Sequence, residues 1–242
     1  MTSKGDLLYE GKAKKIFAIP GDDTKVWVEY KNSLTAFNAQ KKGEFEKKGE
    51  INMRISTILF KYLNKKGLKT HWLENKSSNE MVVEKVKIIP LEVVVRNILA
   101  GSTAKKVGLP EGHKIPRPLV EFYFKNDELA DPFLSDDQIE ILQIANNEDI
   151  KILKALALTI NQNLKGLFLQ AGLILVDFKV EFGRDKQGNI ILADEISPDC
   201  MRLWDSQTGE KMDKDRFRRD LGNVKESYTE VLRRLEEVGI ED

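Results

Sequence analysis

The segment Val176-Asp177-Phe178-Lys179-Val180-Glu181-Phe182-Gly183 alternates apolar and charged residues. In a strand, that alternation sends Asp177, Lys179 and Glu181 to one face and the valines and phenylalanines to the other. The turn Asp185-Lys186-Gln187-Gly188 returns the chain as Ile190-Ile191-Leu192-Ala193-Asp194-Glu195. A two-residue turn at Lys186 and Gln187 sets Asp194 opposite Lys179, and one more loop residue sets Glu195 there. In either register, carboxylates from adjacent strands converge on one lysine. Such a cluster could give Mg²⁺ one or two carboxylates while phosphate oxygens complete its shell. A solvated sheet face with cross-strand ion pairs has the same pattern.

Gly11-Lys12-Ala13-Lys14-Lys15 places mobile ammonium groups on a flexible turn, a composition suited to phosphate. It is not a P-loop, and no dinucleotide fingerprint occurs. The apolar run from Ile88 to Val95 ends in Arg96 and then Ala100-Gly101-Ser102. There a guanidinium fork and a hydroxyl could grip a second phosphate, or simply mark an edge arginine and a tight turn. Further on, Asp194 to Asp205 is polar and aromatic, and Asp213-Lys214-Asp215-Arg216-Phe217-Arg218 opens a helix. Cys200 reads as a packed side chain. His71 and His113 are too few and too scattered for a zinc site.

Elements must position these groups. Leu7 to Ile19 reads as two strands around the basic turn, and Lys25 to Tyr30 as a third. A helix spans about Phe45 to Lys66, with Ile51, Ile55, Leu59 and Leu63 at helical spacing and Gly67 as its stop. Strands run from His71 to Val95, Gly101 to Pro118 reads as an irregular functional loop, and Leu119 to Phe124 as a strand. Ser135-Asp136-Asp137 caps a helix, a long helix covers Asn147 to Gln170, and a hairpin spans Leu173 to Ile196. Two helices, Asp213 to Leu221 and Asn223 to Val238, follow. The order predicts an α+β fold in two lobes, an N-terminal β-rich lobe over 1–78 and an α+β lobe over 79–242.

The 242 residues carry 39 Lys plus Arg against 39 Asp plus Glu, for a net charge of zero, which argues against a nucleic-acid binder. One cysteine excludes a disulfide framework and fits a reducing cytosol. No apolar run approaches the ~20 residues of a membrane span. The expectation is a cytoplasmic protein with small-molecule partners and neither nucleic acid nor membrane among them.

Leu8 to Lys14, Ile89 to Arg96 with Gly101-Ser102, Val176 to Gly183, and Asp194 to Asp199 with Arg202 to Asp205 resemble, in order, the signature blocks of the SAICAR synthetase family. The resemblance covers nearly the whole chain. It implies a two-lobed fold with an ATP-grasp-like C-terminal lobe. It also implies a homodimer that joins aspartate to carboxyaminoimidazole ribotide (CAIR) with ATP and Mg²⁺, giving SAICAR, ADP and phosphate. Lys12, Ala13 and Lys14 would line the ATP phosphates, and Glu181 and Asp194 would hold Mg²⁺. Asp177 and Lys179 would act beside the nucleotide, with Asp131 near ribotide and aspartate. Arg96, Ser102, Arg202, Lys214, Arg218 and Asp199 would bind substrate. The segment Lys31 to Asn38 keeps the family pattern at Thr35, Ala36 and Asn38. It departs at Asn32 and Ser33, where many relatives are acidic. The alternative is another two-lobed ATP-dependent ligase or a small-molecule kinase; the discriminating feature is Arg96 through Ser102 with Arg202, which serves a second phosphate that a kinase need not bind.

Overall fold

The computed structural model describes residues 3–36 and 40–239, so Asn38 lies outside the described residues. Strands β1 (Leu7–Glu10), β2 (Lys14–Ile19) and β3 (Asp22–Tyr30) form an antiparallel meander. A separate ribbon, β4 (Ser33–Ala36) with β5 (Lys41–Glu44), leads into helix α1 (Lys48–Lys65). Strands β6 (Trp72–Asn75) and β7 (Glu80–Glu84) then complete the first sheet in the order β1-β2-β3-β7-β6. Because β7 pairs with β3 along its length, this sheet continues past the expected division at 78/79, as far as Glu84. The apolar stripe of α1 (Ile51, Ile55, Leu59, Leu63) is buried in the main core with Val26, Val28 and Tyr30 of β3.

The second sheet is built on β8 (Lys87–Ile98), β9 (Lys114–Phe124), β10 (Phe133–Leu134), β11 (Leu173–Arg184), β12 (Ile190–Ala193) and β13 (Met201–Asp205). Its order is β10-β9-β8-β11-β12, with β13 also paired to β11. Helix α2 (Gly101–Lys106) follows β8, and α3 (Asp136–Ile141) and α4 (Asn147–Gln170) follow β10. Short α5 (Asp215–Arg218) and then α6 (Val224–Glu237) come after β13.

Leu153, Ile160, Leu164 and Phe168 of α4 share one buried core with Val93, Val95, Phe122, Phe178, Val180 and Phe182. The register pairs Asp177 with Arg96, Lys179 with Val94, and Glu181 with Glu92. The face opposite the apolar one therefore carries Glu92, Arg96, Asp177, Lys179 and Glu181 together, as the alternation requires.

Two expectations change. Gly101 to Pro118 is irregular only over 107–113: Gly101, at φ +59°, turns the chain out of β8 into α2, and pairing resumes at Lys114. The helix expected over Asp213 to Leu221 shrinks to four residues. Asp213 turns the chain by accepting from the Asp215 amide, and left-handed backbone at Asp220, Gly222 and Asn223 ends it.

Candidate active site

A cavity of about 590 Å³ opens between the two sheets. Its lining combines the apolar Ile16, Val26, Val28, Val83, Val86 and Ile88 with Lys12, Ala13, Lys14, Lys125, Asp131, Lys179, Glu181 and Asp194. The basic turn closes locally through the Gly11 amide donating to the Lys14 carbonyl at 2.8 Å. Ser33 donates its hydroxyl to the Lys12 carbonyl at 2.6 Å, and Asn32 accepts from the Gly49 amide at 3.0 Å. The two positions that depart from the family pattern thus brace this turn and the start of α1. A carboxylate could not make the Ser33 donation.

Five loop residues, 185–189, join β11 to β12, and Asp185 organises them by accepting from the Gln187 and Asn189 amides at 3.0 and 2.8 Å. The ladder pairs Glu181 with Ala193 and stops there. Asp194, at φ +62°, turns away from the strand, yet its carboxylate still lies 3.7 Å from Lys179 Nζ. Lys179 also reaches Glu181 at 2.6 Å and Glu92 at 3.4 Å. Burial alone would depress the Lys179 pKa, but Glu181, Glu92 and Asp194 outweigh it and hold the group well above its ordinary value. Lys179 is therefore a fixed ammonium and cannot serve as a base at neutral pH. Burial opposes ionisation of Asp194 too, and Lys14, Lys179 and Lys125 overcome it, so its pKa sits far below the usual range. Lys14 pairs with Asp194, and lies 3.2 Å from Glu195. Lys125 pairs with Glu181.

Asp177 stands apart from this cavity. Only 3% exposed, its Oδ2 accepts from Arg96 at 3.0 Å and from Arg202 at 2.8 Å. It is the hub of an arginine cluster. Arg96 also donates to Glu121 (2.6 Å) and Tyr123 (3.3 Å), and Arg202 to Asp215 (2.9 Å), which Arg218 reaches at 2.6 Å. A Cβ on Gly101 would lie 2.5 Å from the Arg202 guanidinium, so only glycine lets α2 approach it. Ser102, in the first turn of α2, is exposed.

Asp199 has both oxygens engaged, by Lys48 (2.5 Å) and Asn52 (3.0 Å) on one and by Tyr228 (2.7 Å) on the other. Lys214 has its pKa lowered by burial, with Arg218 and Lys48 adding to the effect against Asp199, and makes no ion pair among the described residues. Asp131, at φ +48°, accepts from the Asn126 amide at 2.9 Å and lines the cavity.

A family model described as SAICAR synthetase matches residues 7–235. The chain belongs to the SAICAR synthetase family. A phosphoribosylaminoimidazole-succinocarboxamide synthase of Nitratiruptor sp. is 55% identical over 237 residues, covering 97% of this chain and 98% of that one. The solved structure of the synthase from Ehrlichia chaffeensis matches with a TM-score of 0.93 at 44% identity, covering 98% of this chain and 100% of that one. A SAICAR synthetase solved in complex with ADP matches with a TM-score of 0.91 at 48% identity, over 95% and 97% of the two chains. The two-lobed α+β fold expected from the resemblance is the one these family structures share.

Of the residues that the resemblance singles out, the cavity gathers Lys12, Ala13, Lys14, Asp131, Lys179, Glu181 and Asp194. Asp177, Arg96, Arg202 and Arg218 assemble beside it in the arginine cluster. Glu195, the alternative carboxylate of the hairpin, lines the cavity as well, while Lys125, Glu92 and His71, also in its lining, were not foreseen. Glu92 and Lys125 had a signal, since they face β11 and follow β9 in the registers that the apolar alternation sets. His71 had none. Burial and the nearby Lys14 push its imidazole down to about 4, so it is neutral at pH 7.

Proposed function

We propose that this chain joins L-aspartate to CAIR, consuming ATP and releasing SAICAR, ADP and phosphate. The observation that carries this is the juxtaposition of two anion sites on one sheet face: the lysine-lined cavity, and the arginine cluster around Asp177. ATP enters the cavity with its base among the valines and its phosphates at Lys12, Ala13 and Lys14. The ribotide phosphate meets Arg202 and Ser102, with Arg96 and Arg218 held behind them. Arg202 keeps a terminal nitrogen, Nη2, beyond its bonds to Asp177 and Asp215 for that contact.

Glu181 and Asp194 would hold Mg²⁺. Their oxygens suit a hard cation, and among the described residues no group of three or more acidic, His or Cys side chains is placed to hold a metal. Such a pair suits an ion that takes its remaining ligands from phosphate. When bound, Mg²⁺ offsets charge on the transferring phosphoryl group.

A carboxylate is a poor electrophile, so the ribotide carboxylate is first phosphorylated. Its oxygen bonds to the γ-phosphorus as the bond to the bridging oxygen breaks and ADP leaves. The aspartate amine then attacks the carbonyl carbon, expels phosphate and loses its proton. Lys179, fixed as an ammonium, opposes the negative charge of the moving phosphoryl group. No protein nucleophile is required. In this reading the working form is a cytoplasmic homodimer, and sedimentation of the purified chain checks the dimer.

The test is ADP release by the purified chain. Release that depends on both CAIR and aspartate supports the ligase. Release with ATP and CAIR alone, at the full rate, contradicts it and favours a kinase.

A further inference from the structure

Lys48 opens α1, and its ammonium is buried. Gly49 beside it lies so close to β3 that a Cβ would stand 2.6 Å from the Tyr30 carbonyl oxygen, which fixes where the helix starts. The Lys48 side chain, 2% exposed, crosses to the Asp199 carboxylate at 2.5 Å. One turn on, Asn52 donates to the same Asp199 oxygen at 3.0 Å, while Tyr228 of α6 donates to the other at 2.7 Å. After a further turn, Ser56 donates to the Ile196 carbonyl at 3.1 Å. Residues 48, 52 and 56 share one helix face, and that face grips the loop between Asp194 and Arg202. Within the loop, the Asp199 amide donates to Ser197 Oγ at 3.2 Å, and the Cys200 carbonyl accepts from the Lys179 amide at 2.7 Å.

An apolar pair of similar volume would hold this loop as firmly as a buried ion pair does. What it could not supply is a negative charge beside Lys214. The Lys214 amide donates to the Pro198 carbonyl at 3.3 Å, so the turn into α5 rests directly on the loop. Burial, Arg218 and Lys48 all disfavour the Lys214 ammonium, and the Asp199 carboxylate opposes them. Lys214 makes no ion pair among the described residues, so its ammonium is open to an anionic substrate while Asp199 stands behind it. Resting on the ligase reading above, with Lys214 among the substrate-binding residues, we infer that Asp199 is a positioning residue. Anchored by Lys48, Asn52 and Tyr228, it holds Lys214 toward the anionic substrates and touches none of them itself. This replaces the direct substrate contact that the resemblance implies for Asp199.

Thermal midpoints and steady-state kinetics on the full chain separate positioning from mere support. Asp199→Asn strands the Lys48 ammonium in the interior, so it should lower Tm and also raise KM for CAIR or aspartate. Adding Lys48→Met removes the stranded charge, and Asn52 Oδ1, buried without a partner, can meet the new amide once its own amide turns. The double variant should therefore regain most of the lost Tm. Its KM for CAIR or aspartate should stay about tenfold above wild type, with KM for ATP within about twofold. Tyr228→Phe keeps both charges and the ring against Phe45, and should fold as wild type does while raising the same KM about threefold. Recovery of KM together with Tm in the double variant, an equal rise in KM for ATP, or a wild-type KM in Tyr228→Phe overturns the inference and leaves the ligase reading standing. A wild-type chain whose ADP release does not depend on CAIR and aspartate overturns both.

Discussion

Glu181 and Asp194 are both paired with lysines, so each stands in a charged site where removing one carboxylate changes the fit of any cation. Glu181→Gln and Asp194→Asn should each lower ligation by at least about a hundredfold, the scale of losing one preorganised electrostatic contact, while far-UV circular dichroism stays native. Wild-type rates at limiting Mg²⁺ in either variant would remove both residues from the metal site. On the arginine side, Arg202→Ala and Ser102→Ala should raise KM for CAIR more than KM for ATP. For Arg202→Ala the expected rise is about tenfold or more, since a charge-assisted hydrogen bond contributes roughly 1.5–3 kcal/mol. A rise confined to ATP would mean that the two phosphate sites are exchanged. At this scale the residue types were legible, but their partners were not. Asp177 shares a face with Lys179, as alternation requires, yet it serves two arginines that only the β8 and β13 registers bring beside it.

Between elements, the segment from α2 to β9 is strapped down by Glu111. Its carboxylate accepts from the Gly101 amide at 3.4 Å and from Lys211 at 2.9 Å, and pairs with Arg219. The hydrogen bonds from Arg219 and Lys211, set against burial, hold its pKa down to about 2, so the strap is charged throughout the working range. Glu111→Gln should loosen Gly101 and Ser102 and raise KM for CAIR by roughly threefold to tenfold with KM for ATP unchanged, as steady-state kinetics would show. The β13–α5 link carries a different signature. Burial, and then the neighbouring Asp215, pushes the Asp213 carboxyl up to about 7. A carboxyl with its folded pKa above its unfolded one contributes stability below about pH 4, lost as pH rises toward 7. Thermal midpoints should therefore fall across that window in the wild type and fall less in Asp213→Asn; equal slopes would contradict the assignment. The sequence marked the long helices well because α1 and α4 bury continuous stripes. It misread Gly101 to Pro118, because a six-residue helix has too few turns to show a period and its start depends on Gly101 meeting Arg202 in space.

Across the whole molecule, a chain of zero net charge sets several lysines in one cleft and three arginines in one cluster. The two lobes were legible as blocks of strands and helices, but the place where one sheet ends was not. β7 reads like β8 in composition, and only its pairing with β3 assigns it to the first sheet. The same holds for the seam where Thr70 and His71 meet Leu192 of β12, which no local pattern announces. What the whole arrangement should do is set the ribotide carboxylate in line with the γ-phosphoryl group of ATP, one anion in each site, so that activation occurs on the substrate. CAIR carrying heavy oxygen in its carboxylate tests this most directly, with mass analysis of the phosphate released during ligation. One labelled oxygen per phosphate at each turnover is the predicted result; unlabelled phosphate, with SAICAR still forming, would contradict it.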